Sequence, residues 1–126
     1  MAFALIVEDD FYQADIFSTA LSMAGFERVD VVRDGQEALA FLQEGHAPDL
    51  VVLDLYLPGA MGEKILEYIR SADHLKHTRV ILATGNPHMA APLQAESDLV
   101  LIKPISFTQL RDLAKRLRQT LDHSGV

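Results

Sequence analysis

Leu50-Val51-Val52-Leu53-Asp54-Leu55-Tyr56-Leu57-Pro58 is the stretch on which the fold turns. Leu50 to Leu53 is an unbroken apolar run with two β-branched residues at its centre, which predicts a strand buried on both faces. Pro48-Asp49 opens it, and a loop from Asp54 to Met61 containing Pro58 and Gly59 follows. A charge that ends an apolar strand is costly unless it is used. Asp54 is therefore the first candidate functional residue.

The same pattern extends outward in both directions. Phe3 to Val7 is an apolar run that stops at Glu8-Asp9-Asp10. Val29, Val31 and Val32 predict a second strand, Val80 to Ala83 a fourth, and Leu99 to Ile102 a fifth. Helical spacing fills the intervals. Phe17, Ala20, Leu21 and Ala24 mark an inward face within residues 11–24, closed by Gly25. Ala38, Leu39 and Leu42 do the same between Asp34-Gly35 and Gly45, and Ile65, Leu66 and Ile69 between Gly62 and Ser71. Leu110, Leu113, Ala114, Leu117 and Leu121 form the inward stripe of the last helix, with Arg111, Lys115, Arg116 and Arg118 mostly outside it. Between the fourth and fifth strands, Pro87 and Pro92 exclude a long regular helix, so that segment is expected to be short or irregular. Buried strands alternating with helices imply one parallel sheet covered on both faces, in the order 2-1-3-4-5. The whole chain, 1–126, is expected to be a single domain.

Composition narrows the function. A net charge of −7 argues against general binding to nucleic acids or anionic membranes. The absence of cysteine excludes disulfides and thiolate metal sites. No apolar run approaches the roughly 20 residues of a membrane helix, and the apolar stretch before Glu8 lacks the basic flank of a signal peptide. A cytoplasmic protein is expected.

In such a sheet, ligands sit at the carboxyl ends of the strands. The first strand ends at Glu8-Asp9, the third at Asp54, the fourth at Thr84 and the fifth at Lys103-Pro104. The second lies at the edge and need not contribute. Carboxylates converging in one crevice repel one another unless a cation joins them, and an all-oxygen donor set suits Mg²⁺. Lys103 adds a point charge suited to phosphate, and Thr84 adds a hydroxyl donor. Alone, Asp9 and Asp10 read as helix caps, Thr84 as a β-branched strand residue and Lys103 as a solvated lysine. Their joint placement describes a phosphoryl-transfer site.

These motifs resemble the CheY-like receiver family of response regulators over essentially the whole chain. The matching residues are Leu5-Ile6-Val7-Glu8-Asp9-Asp10, Asp54-Leu55-Tyr56-Leu57-Pro58 with Gly62, Thr84-Gly85 and Lys103-Pro104. The resemblance implies a flavodoxin-like three-layer α/β sandwich. It implies that Asp54 accepts a phosphoryl group from a histidine kinase or histidine phosphotransfer protein. Mg²⁺ would be held by Glu8, Asp9, Asp54 and the backbone carbonyl of Tyr56. Lys103 and Thr84 would bind phosphoryl oxygens, and a cis Lys103-Pro104 bond would aim the lysine. Tyr56 and Asn86 would flank the path of the hydrolytic water, where Tyr56 is expected to slow dephosphorylation. Such a protein catalyses only its own phosphorylation and dephosphorylation. Its partners would be the phosphodonor, a downstream protein and a second copy of itself.

Two departures touch signal output. Many receivers carry an aromatic ring where this chain has Val100, and the interval from Thr84 to Lys103 is shorter than usual. The signal is therefore expected to pass through Gly85–Ala95 directly. Three alternatives remain: a degenerate receiver that only binds partners, a small Mg²⁺-dependent aspartyl-phosphate phosphohydrolase, and a flavodoxin-like electron carrier. The phosphohydrolase would need a second acid at Tyr56. The electron carrier would need a hydroxyl-rich loop at Glu8-Asp9-Asp10. The five histidines (His46, His74, His77, His88, His123) lack paired ligand spacing and read as surface residues.

Overall fold

The computed structural model describes residues 1–57 and 62–124, with side chains through residue 121. Pro58, Gly59 and the side chain of His123 lie outside the described residues. Five strands, β1 (Phe3–Val7), β2 (Arg28–Val32), β3 (Leu50–Asp54), β4 (Arg79–Thr84) and β5 (Leu99–Ile102), form one sheet in the order β2-β1-β3-β4-β5. Every pairing is parallel. The helices are α1 (Phe11–Met23), α2 (Gly35–Gln43), α3 (Gly62–Ser71), α4 (Pro87–Ala90) and α5 (Phe107–Ser124). β1 and β3 are buried along their whole length, as their unbroken apolar runs require.

The strands feed two cores by alternation. Ala4, Ile6, Val52, Ile81 and Leu101 face α1 and α5, meeting Phe17, Leu21, Leu110 and Ala114. Leu5, Val7, Val51, Leu53 and Leu82 face α2 and α3, meeting Leu42, Ile65, Leu66 and Ile69. Among the described side chains of α5 only Leu110 and Ala114 are fully buried, while Leu113, Leu117 and Leu121 pack at the margin. α1 is unusual in being apolar on both sides. Its inward face is Ala14, Phe17, Ala20 and Leu21; Tyr12, Ile16 and Met23 stand roughly opposite and are exposed.

The β4–β5 connection shows what two prolines do. Pro87 sits in the first turn of α4, and Pro92 in the first turn of a 3-10 helix over Ala91–Glu96. Each occupies a position where its missing N–H costs nothing, so the segment divides into two short helices. Its far end is clamped by Arg70, whose guanidinium donates to the Glu96 carbonyl at 2.6 Å, the Thr78 carbonyl at 2.8 Å and the Asp98 carboxylate at 3.0 Å. Among the described residues no helix is long and apolar enough to cross a membrane.

Candidate functional site

The turn after β1 divides its acids between two jobs. Asp10 caps α1, accepting the Gln13 N–H at 3.0 Å. Asp9 is exposed and free of that duty. Glu8 is only 1% exposed, and its carboxylate accepts the Asp10 N–H at 3.2 Å. At the end of β3, Asp54 is also buried and accepts the Tyr56 N–H at 3.0 Å. Carboxylate oxygens of Glu8, Asp9 and Asp54 all lie within 4.8 Å of one another.

Lys103 reaches into this group from the residue after β5. Its Nζ donates to Glu8 Oε1 at 2.8 Å and to Asp54 Oδ2 at 3.1 Å. The Lys103-Pro104 peptide is cis. Burial pulls the ammonium down, but Glu8 and Asp54 outweigh it and hold Lys103 above its ordinary range. Burial, reinforced by the hydrogen bond with Asp54, pushes the Glu8 carboxyl up to about 7, against the pull of Lys103 and the Asp10 N–H. One lysine is thus set against three carboxylates, leaving a surplus of negative charge at the sheet edge.

Thr84 is buried at the end of β4, but its hydroxyl is turned along its own loop. Oγ1 accepts the Asn86 N–H at 3.0 Å and lies 3.3 Å from the Asn86 carbonyl oxygen, to which it donates. Among the described residues no hydrogen bond joins it to Asp54. Asn86 caps α4, its Oδ1 accepting the His88 N–H. Tyr56 is 58% exposed beside Asp54. Gly85 is exposed with open space around it, Pro104 is exposed, and Val100 packs half-buried with the core cluster that includes Met89 and Leu93. Gly62 lies close against the end of β3, its N–H donating to the Leu55 carbonyl at 3.3 Å.

Two histidines do more than decorate the surface. His74 Nε2 lies 2.8 Å from the Leu42 carbonyl at the end of α2, and the His46 ring stacks on Phe41 at 4.1 Å. None of the four described histidines joins the acidic group. The sequence reading also passed over Arg33, one residue beyond β2, whose guanidinium lies 3.4 Å from the centre of the Phe11 ring. Its only signal was a cation directly following an edge strand.

A parallel sheet in this order, with three carboxylates and a bridging lysine at its carboxyl edge, defines a receiver-type acidic pocket. Comparison with known proteins agrees. Residues 4–115 match the response regulator receiver domain model, and the chain belongs to that two-component signalling family. It is 32% identical over 124 residues to the probable methanogenesis regulatory protein FilR2 of Methanothrix harundinacea, covering 91% of this chain and 80% of the relative. It is 34% identical to the sensory transduction protein RegX3 of Mycobacterium tuberculosis over 99% of this chain, but spans only 53% of that protein's length. Among solved structures, a receiver domain of a DNA-binding response regulator from Colwellia psychrerythraea superposes with TM-score 0.82 at 27% identity, covering 94% of this chain and 99% of that one. The receiver domain of the sensor histidine kinase PA1611 from Pseudomonas aeruginosa, solved with magnesium coordinated in its active site cleft, gives TM-score 0.79 at 25% identity, covering 92% and 96%.

Proposed function

We propose that this receiver accepts a phosphoryl group on Asp54 in a Mg²⁺-dependent reaction and passes the signal on by a change of conformation. The observation that carries the reading is Lys103 bridging Glu8 and Asp54 inside a three-carboxylate pocket. The donor set fits the ion: the oxygens are close together, all hard, and under-neutralised by one ammonium. Glu8, Asp9, Asp54 and the backbone carbonyl of Tyr56 would hold Mg²⁺. When bound, the ion supplies neutralising charge for the phosphoryl oxygens.

The chain's own residues do the rest. A carboxylate oxygen of Asp54 bonds to phosphorus, the P–N bond of a phosphohistidine breaks, and the imidazole leaves with the electron pair. Lys103 exchanges its contact with the Asp54 oxygen for one with a phosphoryl oxygen. The Thr84 hydroxyl gives up its Asn86 contacts to donate to another, drawing the Thr84–Asn86 turn inward. Val100 offers no ring to follow that movement, so the change runs into the Gly85–Ala95 segment. The phosphodonor is a histidine kinase or histidine phosphotransfer protein. The exposed apolar face of α1, next to the acidic turn, supports a protein docking there. Residues 1–126 act as one receiver domain in the cytoplasm, catalysing only its own phosphorylation and dephosphorylation.

Intact mass after treatment with acetyl phosphate and Mg²⁺ tests the first claim. Wild type is expected to gain one phosphoryl mass and Asp54→Ala none; equal gain by both would sink it. Amide exchange with and without beryllofluoride tests the relay. Altered protection is expected in Gly85–Ala95, and an unchanged segment would refute that route.

A further inference from the structure

Arg33 stands beside the acidic turn, because the Glu8 N–H donates to the Val32 carbonyl at 3.0 Å and so holds the end of β2 against the end of β1. Its guanidinium lies 3.4 Å from the centre of the Phe11 ring, which directly follows Asp9-Asp10 and is 65% exposed. Contact with a ring uses the face of a guanidinium and leaves its N–H donors available in the plane. Arg33 is exposed, and among the described residues it makes no hydrogen bond or ion pair. Asp34, the next residue, caps α2, and Asp10, beside Phe11, caps α1. Lys103 is committed to Glu8 and Asp54. The rim of an anionic pocket therefore carries a held but unpaired cation.

We propose that Arg33 is a specificity-determining residue for phosphoryl transfer: braced on Phe11, it draws doubly charged small phosphodonors toward Asp54. The proposal rests on the reading of Asp54 as the acceptor. In transfer from acetyl phosphate, an Asp54 oxygen bonds to phosphorus, the bridging P–O bond breaks and acetate leaves with the electron pair. The donor must approach a surface of net negative charge, and this is where a rim cation counts. β2 and β3 flank β1, so their ends stand about 10 Å apart. For a donor about 10 Å from the Arg33 charge in 0.01 M salt, a unit cation enriches a dianion about three-fold and a monoanion less than two-fold.

The experiment follows the rate of aspartyl-phosphate formation by intact mass, with Mg²⁺, for wild type, Arg33→Gln and Arg33→Lys. Arg33→Gln is expected to be about three-fold slower with acetyl phosphate in 0.01 M salt, with the gap closing at 0.5 M. With phosphoramidate, singly charged near neutral pH, the gap is expected to be under two-fold. Arg33→Lys is expected to recover most of the low-salt rate. Equal rates for wild type and Arg33→Gln would overturn the proposal, as would a slowing that is indifferent to salt and donor, which marks a structural role. If wild type itself takes up no phosphoryl group, the Asp54 reading fails and takes this one with it.

Discussion

Lys103→Met is expected to destabilise the metal-free protein by about 3 kcal/mol at pH 8 and by much less at pH 5. Among the described residues the lysine is the one positive charge hydrogen-bonded within the pocket, and Glu8 and Asp54 are both nearly sealed from water. Removing it leaves buried carboxylates without their counter-charge. The pH dependence comes from Glu8, whose carboxyl is raised from 4.5 to about 7 in the folded protein. A raised carboxyl binds its proton more tightly in the folded state than in the unfolded chain. Its contribution to stability is therefore full below 4.5 and lost as pH climbs through about 7. At pH 5 Glu8 is protonated when folded and Lys103 faces one anion fewer, so its loss matters less. Urea unfolding of both proteins with a chelator present, at each pH, gives the comparison. The same loss at pH 5 and pH 8 would contradict the argument.

Gly62→Ala is expected to cost about 3 kcal/mol and to lower the unfolding temperature by roughly 10 °C. A Cβ at this position would lie 2.7 Å from the Asp54 carbonyl oxygen and 2.7 Å from the Leu55 Cα, with the Leu55 Cδ2 at 3.1 Å. The first two are backbone atoms at the end of β3, so relief must come from moving α3 or the strand that presents Asp54. Gly85→Ala is the control. A Cβ there meets nothing within 4 Å, and the change is expected to stay within about 0.5 kcal/mol. Thermal unfolding of the pair suffices, and a Gly62→Ala protein as stable as Gly85→Ala would show that the contact yields freely.

How much of this was legible beforehand follows from the distance over which each feature acts. Leu50–Asp54 and Phe3–Glu8 could be read because burial on both faces leaves an unbroken apolar run, and a charge ending such a run stands out. Lys103 and Thr84 became meaningful only once the parallel sheet put the strand ends together. Arg70 could not be read. Its partners at Glu96 and Asp98 are remote in sequence, and at Glu96 and Thr78 it meets backbone carbonyls, which leave no mark on residue type. Arg33 was passed over because the edge strand before it is half-exposed and pairs on one side only. Two prolines make the stretch legible as short, but its division into two helices depends on each proline occupying a first turn.

The doubly apolar α1 has a practical corollary. Tyr12 and Met23 are mostly exposed, so polar replacements there should leave folding intact within about 0.5 kcal/mol. Any signalling defect such replacements cause then reports on another molecule touching the helix. At Tyr12, one turn or less from the acidic residues after β1, recognition can thus be separated from architecture.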